Sequence, residues 1–371
     1  MGRSPLALVL VCLLAAVGLG AQTIGPMTVI VTPANSLNNL AQPYSQAELI
    51  VMFAPNGPFE SYMRAASYEA VPSVTSTVLP YATYPGVINH ESCAFQSAGH
   101  WTTYIGWSAQ MVLDAGYALT DHFRRLAFIP SLPCFAGNAG NTWALIAGKQ
   151  ALQTVIHEYL HTLTVGGHAG SQECHLEDGA KVCGTVQQYG DVISPMGRGA
   201  GHPSVFEKRS LKWVDGVGTP RMVVAENVPW LYDLEPYDAP LTASGIVALR
   251  LNATDGLSWL AIEAHTKPSR SAPAGVVLRR LDSVFEPGQV TARVMLDMDP
   301  VTTAFKPMLA LGQSYVWDNR EITVESFGLQ GAVIGVAPCT EAACAEPPPP
   351  PPPPPCSGRT CSPPPPPPGR P

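Results

Sequence analysis

Two regimes of hydrophobic patterning divide the chain. From about Gln22 to Asp215 strand-like and helix-like runs are mixed. "AELIVMF" (Ala47–Phe53) is a short apolar run bounded by turn residues and predicts a buried strand. "WSAQMVLDAGYAL" (Trp107–Leu119) has helical spacing, and "HFRRLAFIP" (His122–Pro130) reads as a strand ended by proline. "FAGNAGNTW" (Phe135–Trp143), rich in Gly and Asn, predicts a loop. The clearest helix is "GKQALQTVIHEYLHTL" (Gly148–Leu163), with Leu152, Val155, Ile156, Tyr159 and Leu163 on one stripe. Gly166 and Gly167 follow it as a stop signal.

From about Gly216 to Ala337 the period shortens. "RMVVAE", "GIVALRLNA", "SWLAIEAH", "GVVLRRLD", "VTARVMLDM" and "REITVESFG" alternate apolar and polar residues between Pro, Gly, Asp and Asn. Closely spaced strands of this kind predict a β-sandwich. From Pro347 the sequence is nearly all proline, interrupted by "CSGRTC" (Cys356–Cys361). Proline fixes φ and cannot donate a backbone hydrogen bond, so this tail predicts a solvated polyproline II rod. It suits either a passive stalk or an attachment to a proline-rich matrix. The fold class expected is therefore α+β: a mixed-sheet domain over 22–215, a β-rich domain over 216–338 and a Cys-containing polyproline tail over 339–371.

The N-terminus changes the compartment. Arg3 precedes a short apolar run, Leu6–Val17, followed by the small residues Gly18, Gly20 and Ala21. That is the pattern of a secretory signal over residues 1–21, too short for a comfortable membrane span. Cleavage would remove Cys12 and leave Cys93, Cys134, Cys174, Cys183, Cys339, Cys344, Cys356 and Cys361. An even number in an exported chain suggests disulfides, and close spacing suggests 174–183, 339–344 and 356–361, with 93–134 remaining. The sequon Asn252-Ala253-Thr254 fits export. A net charge of −7 offers no basic surface for nucleic acid or anionic membrane.

Candidate chemistry concentrates in "VIHEYLHTLTVGGHAG" (Val155–Gly170). His157 and His161, four apart on a helix, share a face and can reach one ion. Glu158 follows the first histidine, where an HExxH carboxylate serves as general base toward a zinc-activated water and later protonates the leaving amine. A third ligand is needed. His168 is the leading candidate, because Gly166-Gly167 permits the chain to bend back. Glu173, His175, Glu177 and Asp178 are the competitors. Substrate is expected to pair with an edge strand within "TWALIAGK" (Thr142–Lys149).

"QYGDVISPMG" (Gln188–Gly197) places Met196 in a turn-forming sequence. HExxH with a trailing histidine, then Tyr-Gly-Asp…Met-Gly, then "HPSVFEKRSLKWV" (His202–Val214) resembles the gametolysin family of zinc metalloproteases, known from volvocine green algae. "RRLAFIPSLPCFAGNAG" (Arg124–Gly140) and "LALGQSYVWDNREITVES" (Leu309–Ser326) resemble further parts of that family. The resemblance implies a metzincin-like catalytic domain, Zn²⁺ held by His157, His161 and His168, Glu158 as base and Met196 as the Met-turn residue. It further implies a secreted endopeptidase acting on hydroxyproline-rich matrix or cell-wall glycoprotein. The family pattern HExxHxxGxxH has one residue fewer before its last histidine. Arg198, two places after Met196, stands where some metzincins carry a tyrosine ligand. The added residue keeps open a second expectation, a matrix glycoprotein that retains the fold without catalysis.

Overall fold

A computed structural model describes residues 27–88, 100–120, 123–132, 136–163, 165–177, 180–216, 221–225, 229–238, 245–268, 272–282, 293–299 and 305–339. The signal-like N-terminus, the polyproline tail, Cys93, Cys134, Cys344, Cys356 and Cys361 lie outside the described residues.

The protein is mixed α+β, with few helices and several sheets. In the N-terminal part, β1 (Met27–Ser36), β2 (Val74–Val78), β4 (Phe123–Ile129), β5 (Gly137–Ala139) and β6 (Trp143–Ala147) form one sheet ordered β2-β1-β4-β6-β5. β3 (Ala82–Tyr84) also pairs with β1. All pairings are parallel except β5 with β6. Parallel strands covered on both faces read as continuous apolar runs, which explains Leu126-Ala-Phe-Ile129. Leu126 and Phe128 enter the core beneath the helices α1 (Gln46–Phe53), α2 (Pro58–Ala66) and α4 (Leu152–Thr162). Ala127 and Ile129 face the opposite core, with Tyr104 of α3 (His100–Asp114).

Four expectations are corrected. Ala47–Phe53 is helical, because Ser45 and Glu48 form a capping box and only Leu49 and Phe53 are buried. These two lie four apart, so a helix can hide them while Ile50 and Val51 stay exposed. The loop expected over 135–143 contains β5, formed because Gly137–Ala139 pairs in register with Ile146–Ala144. Residues 143–147 are not an edge strand, since β6 is flanked by β4 and β5. The helix expected at 107–119 runs from His100 to Asp114.

The second half builds two more sheets. One is ordered β10 (Arg221–Val224), β12 (Ile246–Asn252), β13 (Ser258–His265), β14 (Gly275–Asp282), β15 (Arg293–Leu296) and β7 (Ala169–Gln172). The other is ordered β11 (Trp230–Leu234), β18 (Gly331–Pro338), β17 (Arg320–Gly328) and β16 (Ser314–Trp317). They share a core that includes Leu249, Leu260, Ile262 and Leu278 from the first and Leu234, Ile322, Val324 and Ile334 from the second. Between β7 and β9 (Ala180–Cys183) lies β8 (Cys174–Glu177), and the hairpin β8-β9 carries the expected Cys174–Cys183 disulfide. Cys339 is also disulfide-bonded.

β7 comes from the N-terminal half yet pairs in parallel with β15, Arg293 opposite Ala169. Buried polar groups join the halves as well. Fully buried Arg279 on β14 donates to Asp191 at 2.8 Å and to Glu263 on β13. Glu263 also accepts from the backbone N–H of Val205 at 2.8 Å, at the start of α5 (Val205–Ser210). Lys208 of α5 is buried between the rings of Tyr68 and Tyr237, at 3.7 and 4.1 Å from their centroids. Removing one member of such a buried network leaves its partners as desolvated charges. Arg279→Met is therefore expected to lower stability by about 3–5 kcal/mol, read as a lower urea midpoint at unchanged slope.

Candidate metal centre

α4 begins after a turn in which Gly148 takes φ +73°. The expected amphipathic helix is instead buried nearly all round. Val155 through Leu160 are buried, His157 and Glu158 included. The sheet covers one side. The Pro195 carbonyl meets His157 on another, so that ring is withdrawn from solvent while His161 stays half-buried at the cleft.

The helix ends at Thr162, with the Leu163 N–H bonding back to Leu160 at 3.0 Å. Gly167 then adopts φ +69°, a conformation glycine enters without steric cost, and the chain reverses. The reversal brings His168 back beside the helix. His157, His161 and His168 each offer a ring nitrogen, all within 4.8 Å of one another. They are the group among the described residues able to hold a metal ion. Glu173, a competing ligand, is exposed and accepts from Gln187 at 3.3 Å. His175 and Glu177 lie on β8, and Asp178 lies outside the described residues.

Two carbonyls fix the tautomers. His157 Nδ1 donates to the carbonyl of Pro195 at 2.6 Å, and His161 Nδ1 donates to that of Val165 at 2.9 Å. A carbonyl can only accept, so each Nδ1 carries the proton and each Nε2 keeps its lone pair. The two Nε2 atoms lie 3.2 Å apart. That is close to the separation of two nitrogens on one tetrahedral ion at ~2.0–2.1 Å. His168 Nδ1 is buried without a hydrogen-bond partner, and the ring packs on Tyr189 with centroids 3.8 Å apart.

Burial sets the charge states. It pushes His157 down to about 4, against the opposing effect of the Pro195 carbonyl, with the neighbouring His161 lowering it further. It also lowers His161, and takes His168 to about 3 with help from His157, His161 and Arg293. All three rings are neutral at pH 7, the form that binds metal. Burial alone raises Glu158 to about 8. A nearby cation favours the carboxylate and opposes that rise. The donor set, the tautomers and the neutral rings thus fit a divalent ion of the zinc type.

His161 and His168 open onto a cleft of about 490 Å³, lined also by Gly137–Asn141, Glu158, Val165–Gly167 and Tyr189, with His157 buried behind them. β5 forms one wall and ends its sheet. Gly137 has a packing role here, because a Cβ would lie 2.5 Å from Glu158 Cγ.

The expected Met196 is fully buried in the same cluster as Val155, Ile156, Tyr159 and Leu160. Its carbonyl accepts from the N–H of Ala169 at 2.9 Å, which ties the turn to the residue after His168. Sequence reasoning missed Tyr189, whose φ is +59° and whose ring covers His168. Its only sequence signal was its place in Tyr-Gly-Asp before the turn. The position two after Met196, Arg198, is exposed. Asp191 was also missed: its side chain accepts the N–H groups of Ile193 and Ser194, each at 2.8 Å.

No family model matches the chain, and no curated protein or solved structure matches it either.

Glu158 supplies a test of the site's electrostatics. With a folded pKa of about 8 against an ordinary 4.5, the native state binds the extra proton between these values. Metal-free protein then loses stability as pH rises through that window. Glu158→Gln mimics the protonated acid. It is expected to match wild type at pH 4.5 and exceed it at pH 9 by roughly 3–5 kcal/mol, read from urea unfolding of the metal-free proteins.

Proposed function

We propose that this chain is a secreted zinc-dependent endopeptidase of the gametolysin type, acting on proline-rich matrix or cell-wall glycoproteins. The observation that carries the proposal is the convergence of three histidines, two of them lining a cleft with the buried Glu158, beside a strand edge that is unpaired among the described residues. The mixed sheet with its active-site helix supports a metzincin-like catalytic domain. The two sheets with a shared core support a β-sandwich-like partner domain. The signal-like N-terminus supports export, and no helix among the described residues is long and apolar enough to cross a membrane.

His157, His161 and His168 would hold the ion. Bound Zn²⁺ polarises a carbonyl and makes water acidic enough to attack near neutral pH. Glu158 has the chemistry to take the proton from that attacking water and to return it to the departing amine. Its carboxylate faces the same cleft as His161 and His168. β5 offers its outer edge to an extended peptide, whose backbone would pair with Gly137–Ala139 as an added strand. This replaces residues 142–149 as the substrate-pairing segment. Tyr189 lines the cleft with its ring packed on His168, covering one face of that imidazole.

Purified protein is expected to bind one zinc per chain and to cleave a casein-type or wall-glycoprotein substrate. Chelation should abolish cleavage and zinc should restore it. Glu158→Gln should keep the metal and lose at least 100-fold in kcat, in the range of a general base. Equal activity of wild type and Glu158→Gln would sink the catalytic reading. Stoichiometric zinc without any cleavage would favour the non-catalytic matrix glycoprotein.

A further inference from the structure

We infer that the metal site is completed from the C-terminal β-rich half, with Arg293 of β15 as the positioning residue for His168. The inference rests on the metal-site reading above. It adds that the segment carrying the third ligand is held by a strand more than a hundred residues downstream, not by the helix that carries the first two.

Three contacts make the case. The Arg293 guanidinium donates to the carbonyl of Gly166, two residues before His168. The same guanidinium pairs with Glu207 at 3.3 Å, where Arg293 is 11% exposed and Glu207 fully buried. The backbone around Arg293 pairs in parallel with Ala169–Gln172, so the strand leaving His168 is in register with β15. His168 is therefore bracketed, with its preceding turn held by the side chain and its following strand by the sheet.

Glu207 carries the clamp onward. Its carboxylate accepts from the Ser204 N–H and from the Ser194 hydroxyl, the latter at 3.3 Å. The Ser194 hydroxyl in turn accepts from the Met196 N–H at 3.1 Å. One arginine thus reaches both the turn that presents His168 and the turn whose Pro195 carbonyl orients His157. The added residue between His161 and His168 lengthens this loop, and a longer loop needs an external anchor to keep one conformation.

The test uses the full-length chain with Arg293→Met, Arg293→Lys and the paired change Arg293→Met/Glu207→Gln. The paired change removes both buried charges, so it remains informative if Arg293→Met alone fails to fold. Zinc affinity is measured by competition with a chromophoric chelator, and Co²⁺ is used as a coordination probe. Arg293→Met and the paired change are expected to weaken zinc binding about 10–100-fold, as loss of an outer hydrogen-bonding partner does. Their Co²⁺ visible bands should weaken as a protein ligand is replaced by water. Arg293→Lys, which can still donate to Gly166, should recover most of both. His168→Ala should reproduce the Co²⁺ spectrum of Arg293→Met. Zinc affinity within twofold of wild type and an unchanged Co²⁺ spectrum would overturn the inference. Amide exchange at Gly167–Gly170 in metal-free protein reads the clamp independently. At least tenfold faster exchange in the Met variants is expected, and no change overturns the clamp. A wild-type chain that binds no metal, yet shows the exchange effect, would overturn the metal reading and the ligand-positioning role while leaving the clamp itself in place.

Discussion

The hydrogen bond from His157 Nδ1 to the carbonyl of Pro195 is the joint on which the centre depends. It is made between the middle of a buried helix and the tip of a turn. It selects the tautomer that leaves Nε2 free, and it locks the ring's rotation. A carbonyl can do this only if the turn that carries it is itself immobile. Much of the surrounding structure serves that requirement. Asp191 accepts two N–H groups of the turn, and Arg279 holds Asp191 from the neighbouring sheet. Glycines are needed where the turn folds on itself: a Cβ at Gly197 would lie 2.2 Å from the Asp191 carbonyl oxygen, and one at Gly199 2.1 Å from the Ile193 carbonyl.

Burial and the capacity to hold a metal ion are coupled rather than opposed. Three imidazoles and a carboxylate are withdrawn from water, which disfavours their charged forms. For the histidines that is useful, because only the neutral ring binds a metal. For Glu158 it carries a cost in the absence of a cation, since its ionised form is then left in an apolar setting. A bound divalent ion would reverse that balance. The same burial therefore makes the metal-free site less compatible with alkaline conditions, and a bound cation would remove that penalty.

How much of this was legible in the sequence follows from the range of each interaction. The helix over Leu152–Thr162, the His157–Glu158–His161 spacing, the Cys174–Cys183 pair and most C-terminal strands are local patterns, and they stood out. His168 was legible because two glycines precede it and the chain has few other histidines nearby. Ala47–Phe53 was misread because an apolar run alone does not separate strand from helix, and the capping box at Ser45 and Glu48 was the better signal. β5 was missed because a Gly-Asn-Ala triplet has no strand propensity of its own. It is a strand only because β6 offers it a partner. Arg279 and Arg293 act across long separations, and nothing in their immediate neighbourhoods marks them; Tyr189 and Asp191 were marked only by their place in Tyr-Gly-Asp before the turn.

The late third histidine follows from the same distinction. Counted along the helix from His161, His168 lies one residue beyond the familiar spacing, which makes the site look short of a ligand. Counted from the strand, its place is set. Ala169 is in register with Arg293, and its N–H bonds the Met196 carbonyl, so the residue before it must enter the cluster wherever the helix ended. The loop between Leu163 and His168 then has only to span the gap. Gly167, in the left-handed region, lets a loop of that length close without strain. A one-residue change is tolerated in such a loop at little entropic cost, whereas the same change inside β7 would turn every side chain to the opposite face. The added residue is therefore where the fold can absorb it, and the position of His168 is governed by the sheet that receives the chain after it.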